Sequence, residues 1–252
     1  TRCSRDWSSD VCSSDLARCI VPGVPPITQT GCSHSGRVFP EIGPNTVVIA
    51  PGGQRHLSIR KWTGYGRLAE RFEDVALVGV AADLDLSNRV IFPPWVKRTF
   101  GQKLNYQGRW WRLAKHFAEC QDQPIDFPPR VKNYIGQLSL ADTAALIAQA
   151  GCVIGNDCGL THLAIALGKP TFVLVGPSSA RKVFPDTLAN CVVIARNFEC
   201  QPCQEKPELG VWRLNMWQSF CPHHLRCMNE ISVDEVVRAV TEHLPRLRGA
   251  VT

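Results

Sequence analysis

The sequence predicts an α/β protein: a parallel sheet with helices on both faces. Three observations carry this. Short β-branched apolar runs alternate with helix-patterned segments along the chain. Those runs lack polar alternation, which marks strands buried on both sides. Loops rich in Gly, Pro, Asn and Asp follow the strands, and sheets of this kind bind ligands outside the strand carboxyl ends.

The elements follow in order. Thr46–Ala50 (TVVIA) reads as a buried strand running into the loop Pro51-Gly52-Gly53. Tyr65–Phe72 has helical spacing, and Val75–Val80 (VALVGV) is a second buried strand. Pro93–Pro129 is less regular, with an amphipathic helix expected over Trp110–Cys120. Asn133–Gly136 reads as a short strand end. Ser139 caps a helix, LADTAALIAQA, with Asp142 three residues on. Cys152–Gly155 is a strand, Asn156–Gly159 a turn, and Leu160–Leu167 a helix stopped by Gly168. Pro170–Val175 and Cys191–Ala195 are strands, separated by a segment that opens on Gly176-Pro177-Ser178. Phe198–Met228 reads as loop, and Ser232 with Glu235 forms a capping box for a last helix, VDEVVRAVTEHL. The loops at Pro51, Asn156 and Gly176 are expected to converge on one crevice.

The chain has 252 residues, room for one large domain or two small ones. Hydrophobic residues make up 44% and charged residues 20%, which excludes disorder and fibrous repeats. No apolar run approaches the roughly 18 residues of a membrane span. A net charge of +6 suits a phosphate-bearing ligand or an anionic membrane surface and is too small to argue for nucleic acid. Twelve cysteines in a chain this long, without a signal-peptide pattern, indicate a reducing compartment with a local cysteine site. Thr1–Leu16 is Ser- and Asp-rich, and its Asp6–Leu16 (DWSSDVCSSDL) resembles the translation of a sequencing-library adapter. It is expected to be an artefact, with 17–45 a linker or the remnant of a missing N-terminal domain.

The densest chemical signal is Gly155–Leu174. Asp157 and Gly159 make a tight turn before a helix, where backbone amides and a residue without a side chain suit phosphate oxygens. His162, one turn into the helix, is placed to donate to a phosphate or ribose. Taken alone, Asp157 is equally a turn residue and His162 a structural histidine. In PGGQRHLSIRKW, Gly52 and Gly53 permit close backbone approach to a ligand, and Arg55, Arg60 and Lys61 bring cations beside it. A solvated basic loop is the alternative.

These pieces, in this order, resemble the C-terminal nucleotide-binding domain of glycosyltransferase family 9, the ADP-heptose:lipopolysaccharide heptosyltransferase family. The stretches are APGG with RKW, IGQLSLADTAALIAQAGCVIGNDCGLTHLAIALGKP, VGPSS with Phe184-Pro185, CQPC, and CMNEISVDEVVRAV. The resemblance implies half of a GT-B architecture, with 46–252 as a Rossmann-like nucleotide-sugar-binding domain. It also implies inverting transfer of a sugar, heptose from ADP-heptose, to a lipopolysaccharide core or related glycan acceptor, with no required metal or cofactor. Gly52, Gly53, Arg60, Lys61, Asp157, Cys158, Gly159, His162 and Gly176 become the donor-binding residues. Cys158 stands where relatives usually carry Thr or Ser, and Arg60 where they carry Lys. The general base is expected from the N-terminal domain, so the catalytic residues are not assigned and the chain alone is expected to be inactive. A cytoplasmic location, peripheral on the inner membrane of a Gram-negative bacterium, follows from the same resemblance. The alternatives are a nucleotide-sugar epimerase of similar fold, which would need a second carboxylate constellation, and a non-catalytic nucleotide-binding module.

Cys200, Cys203, Cys221 and Cys227, with His223 and His224 among them, have a spacing that suits tetrahedral zinc; a buried or redox-sensitive thiol cluster is the alternative. Trp110-Trp111 with Lys103, Arg109 and Arg112 is either a membrane-interface contact or a packed aromatic pair on a basic helix. The reading of Thr1–Leu16 is tested by deletion: the melting temperature is expected to stay within error, and a fall of several degrees would mark the segment as a real element.

Overall fold

The structure is a computed structural model, and it describes residues 34–52, 60–84, 90–91, 119–120, 125–203 and 225–249. Six parallel strands form one sheet in the order β5-β2-β1-β6-β7-β8. They are β1 (Val47–Ala50), β2 (Val75–Leu77), β5 (Lys132–Asn133), β6 (Cys152–Asn156), β7 (Thr171–Val175) and β8 (Cys191–Ala195). Within the sheet the strands therefore run third, second, first, fourth, fifth, sixth in chain order, the doubly wound arrangement, and the order reverses between β1 and β6. A separate antiparallel pair joins β3 (Val90–Ile91) to β4 (Glu119–Cys120). The helix expected over Trp110–Cys120 thus does not reach Cys120, because those last residues pair with β3; the rest of it lies outside the described residues.

Period-2 alternation divides each central strand between two cores. Val47, Ile49, Leu77, Ile154, Phe172 and Leu174 face one side. There they meet Trp62 and helix α1 (Tyr65–Ala69), and the last helix, α6 (Val233–Gly249), through Val236, Val240 and Leu247. Val48, Ala50, Ala76 and Val153 face the other side, against α2 (Leu140–Gln149) and α3 (Gly159–Ala166). Leu146 and Ile147 on α2 are fully buried, and each contributes about 1.5–3 kcal/mol by leaving water. Phe39 and Ile42, from the segment preceding β1, pack into the same core.

Local chemistry sets the boundaries. Ser139 Oγ accepts from Asp142 N at 3.1 Å, the N-cap expected for α2. Helix α1 ends at Ala69, short of the expected Phe72, where the Arg130 guanidinium takes the carbonyls of Ala69, Glu70 and Phe72. Strand β2 stops at Leu77 rather than Val80 because Gly79 adopts φ +143°. The short strand expected at Asn133–Gly136 is β5 at Lys132–Asn133, with Gly136 turning at φ +71°. Helix α6 runs through Pro245, anchored by buried Leu247 and by Arg248, which donates to Pro44 O at 2.7 Å. Two short helices, α4 (Ala180–Val183) and α5 (Arg226–Asn229), lie in segments that carry no helical pattern.

Gly155 is the tightest point of the β1–β6–α3 junction. A Cβ there would lie 2.8 Å from Ala50 O and 2.6 Å from Thr161 Cγ2. Gly155→Ala is therefore expected to cost about 1–3 kcal/mol by overpacking. Denaturant unfolding checks this, and an unchanged midpoint would contradict the close approach of β1, β6 and α3.

Candidate functional site

The carboxyl ends of β1 and β6 lie side by side where the strand order reverses, and Ala50 pairs with Gly155. Asn156, the last residue of β6, is fully buried and ties three segments together. Its Nδ2 donates to Pro51 O at 2.8 Å and Gly52 O at 3.2 Å, and its Oδ1 accepts from Trp62 N at 3.2 Å. The Trp62 indole in turn donates to Ile231 O at 3.0 Å.

The next residue, Asp157, is the charged centre. Its side chain is 2% exposed. Arg60 Nη1 lies 2.9 Å from Oδ2, and Ser178 Oγ donates to the same oxygen at 2.6 Å. His162 Nε2 lies 3.4 Å from Oδ1. Burial pushes the Asp157 carboxyl up, but His162, the Arg60 guanidinium and the Ser178 hydroxyl outweigh it and hold the group below the usual carboxylate range. The His162 ring stacks on Phe184, with centroids 4.8 Å apart and planes 6° apart, and its Nδ1 is buried with no hydrogen-bond partner among the described residues.

Cys158 is the extended N-cap of α3. Its backbone N–H donates to Thr161 Oγ1 at 3.3 Å, and that hydroxyl points at the carbonyls of Asn156 and Cys158. Burial pushes the Cys158 thiol up to about 11, and the Asp83 carboxylate adds to the rise. The group is therefore a neutral thiol at physiological pH rather than a nucleophilic thiolate. Gly159 opens α3, whose first-turn amides face this end of the sheet.

Lys61 is 1% exposed, and its Nζ donates to Ala82 O at 2.8 Å. Gly52 leaves space that the Asp83 side chain fills: a Cβ on Gly52 would lie 2.5 Å from Asp83 Cγ. Gly79 makes room for the same carboxylate, which also accepts from Val80 N at 2.8 Å. Gly176 faces α5, where its missing Cβ would meet Met228 Sδ at 2.4 Å and Cys227 Sγ at 3.2 Å, and its carbonyl accepts from Gln201 Nε2 at 2.7 Å.

The three loops expected to converge do so, through Asn156 and Asp157. Of the nine residues assigned to the donor, Arg60, Asp157, Cys158, Gly159 and His162 gather at the β6–α3 turn, Gly52 and Lys61 lie beside Asp83, and Gly176 sits behind Ser178. Gly53 lies outside the described residues. Sequence reasoning missed Asp83, Ser178 as the partner of Asp157, and Phe184 as the stacking partner of His162. The acidic residue shortly after a second buried strand was the available signal for Asp83. Among the described residues no group of three or more His, Cys, Asp or Glu could hold a metal ion. Cys221, His223 and His224 lie outside them, as do the aromatic and basic residues suggested for a membrane contact. No described helix is long and apolar enough to cross a membrane.

A doubly wound sheet with a glycine turn, a buried carboxylate and a helix N-terminus at its switch point places the chain in the α/β class. Residues 112–210, which carry Asp157, His162 and Ser178, match the family model described as Glycosyltransferase family 9 (heptosyltransferase). Lipooligosaccharide heptosyltransferase 2 of Haemophilus influenzae is 30% identical over 79 residues, which is 27% of this chain and 23% of that protein. The bacterial iron-containing dodecameric glycosyltransferase TibC from enterotoxigenic E. coli aligns with TM-score 0.53 at 17% identity, covering 87% of this chain and 48% of that one. The dodecameric iron-containing heptosyltransferase TibC in complex with ADP-D-beta-D-heptose aligns with TM-score 0.50 at 17% identity, over 86% and 47%. These likenesses show the shared α/β fold. The chain spans about half the length of the solved structures it matches.

Replacing Asp157 by Asn removes the carboxylate 2.9 Å from buried Arg60 and is expected to cost about 3–5 kcal/mol. The folded pKa of Asp157 is depressed, so its contribution is fully present above the unfolded value, about 3.9, and is lost as pH falls through the lower folded value. The stability gap between the wild type and Asp157→Asn should be flat near neutrality and narrow only in acid. A gap that widens as the pH falls would contradict the assignment.

Proposed function

We propose that this chain supplies the nucleotide-sugar-binding half of an inverting family 9 glycosyltransferase, with ADP-heptose as donor and a lipopolysaccharide core or related glycan as acceptor. The convergence of the Pro51, Asn156 and Gly176 loops on Asp157 at the switch point of the sheet carries the reading. The family match, which contains the Asp157-Cys158-Gly159 turn and His162, supports it. A cytoplasmic site of action suits a nucleotide-sugar donor.

The chemistry follows from where charge develops. Transfer breaks the bond between the sugar and the diphosphate, and negative charge grows on the leaving ADP. The first-turn amides of α3 and the Arg60 guanidinium stabilise that charge without reorganising. Arg60 is held for this by Asp157, 2.9 Å away. Asp83, placed after β2 between Gly52 and Gly79, stands where doubly wound sheets put an acidic partner for ribose hydroxyls. The acceptor hydroxyl attacks the anomeric carbon directly and inverts it. Its proton goes to a general base on the facing wall of the cleft, a role assigned to none of the described residues. The chain alone is therefore expected to bind donor and to transfer little.

Calorimetry tests this. ADP should bind, and Asp83→Asn should weaken it about tenfold through the lost ribose contacts. A preference for UDP would change the donor, and no nucleotide binding at all would sink the site.

A further inference from the structure

We propose that Gln201 is a positioning residue for the crevice: its side-chain amide pins the loop after β7 at Gly176, and through that loop it sets the contact of Ser178 with Asp157 and hence the affinity for the nucleotide. The affinity half of this rests on the donor-site reading above. The brace itself stands on contacts within the chain.

Gln201 lies in the segment that follows β8, and its side chain bridges two backbones. Nε2 donates to Gly176 O at 2.7 Å, and Oε1 accepts from Phe198 N at 3.0 Å. These partners fix which way the amide points, because a carbonyl only accepts and a backbone N–H only donates. Gln201 N also donates to Phe198 O at 2.8 Å, so the segment closes on itself. Its far end is anchored to α5. The Arg226 guanidinium covers the Phe198 ring at 3.8 Å from the centroid and pairs with Glu230 at 3.1 Å.

Gly176 is held from a second side. A Cβ there would meet Met228 Sδ at 2.4 Å, so α5 packs directly on the backbone while the carbonyl is turned to Gln201. Pro177 follows, and its ring locks φ near about −65°, which makes a stiff link to the next residue. That residue is Ser178, whose Oγ donates to Asp157 Oδ2 at 2.6 Å. The same loop ends on Phe184, whose ring stacks on His162. Within it, Lys182 N and Val183 N donate to Ser179 O, and Phe184 N donates to Ala180 O. One loop thus delivers a partner to Asp157 and a partner to His162, and Gln201 holds its first residue. Hydrogen bonds weaken steeply with displacement, so freeing Gly176 O loosens Ser178 from the carboxylate.

Hydrogen exchange on the full chain without ligand tests the brace. Gln201→Met has nearly the same shape and neither polar atom; Gln201→Glu keeps an acceptor for Phe198 N and loses the donor to Gly176 O. Both should speed exchange of the Lys182, Val183 and Phe184 amides about tenfold while the amides of Leu146 and Ile147 in α2 stay as in the wild type. Slow exchange in Gln201→Glu would make the Phe198 contact the one that matters and overturn the proposal. Equal acceleration in α2 would make Gln201 a general stability residue and also overturn it. Calorimetry with ADP tests the link to the crevice. Gln201→Met should weaken binding about threefold to tenfold, and should cause no further loss in a Ser178→Ala background. Unchanged affinity, or losses that simply add, would show that Gln201 does not act through Ser178. If ADP does not bind the wild type, the donor-site reading falls and takes the affinity half with it, while the exchange result still decides the brace.

Discussion

A carboxylate buried at the end of a central strand has to be matched by partners, and those partners must come from other loops. Asp157 meets this constraint with Arg60 from the segment after β1, Ser178 from the loop after β7, and His162 from α3. The loops that carry them are therefore fixed relative to one another by electrostatics in a low-dielectric setting, where an unpaired charge costs several kcal/mol. The glycines serve the same end. Gly155 lets β6 and α3 approach β1, and Gly52 admits the Asp83 side chain.

Beneath this charged layer lies a neutral one. Asn156 uses both ends of its amide, donating to Pro51 O and Gly52 O and accepting from Trp62 N. Trp62 passes the connection to Ile231, just before α6, through its indole N–H. The crevice is thus tied through α6 to the far side of the sheet, where Arg248 holds Pro44 at the entrance to β1. A distortion at the crevice loops would have to be accommodated by the packing of α1 and α6 as well.

Much of this was legible in the sequence, for a physical reason. β1, β6 and β7 are apolar runs buried on both faces, β8 is an apolar run half-buried at the sheet edge, and α2 has a serine cap, so local pattern and final structure agree. Asp157 and His162 were legible because the spacing of a turn and one helical turn brings them together. What was not legible depends on partners far along the chain. Ser178 lies twenty-one residues from Asp157, and Arg130 ends α1 from some sixty residues away. β2 ended earlier than its apolar run because Gly79 turns the backbone, and α6 ran past its proline because Leu247 and Arg248 anchor its last turn. No local periodicity encodes such contacts.

The central claim is that one carboxylate organises the crevice. A double-mutant cycle between Arg60→Met and Ser178→Ala tests it most directly, because the two side chains come from different loops and share Asp157 Oδ2. Unfolding free energies should be non-additive, with a coupling of about 1 kcal/mol or more. Additivity within about 0.3 kcal/mol would show that the two loops are held independently, and Asp157 would then lose its place at the centre of the site.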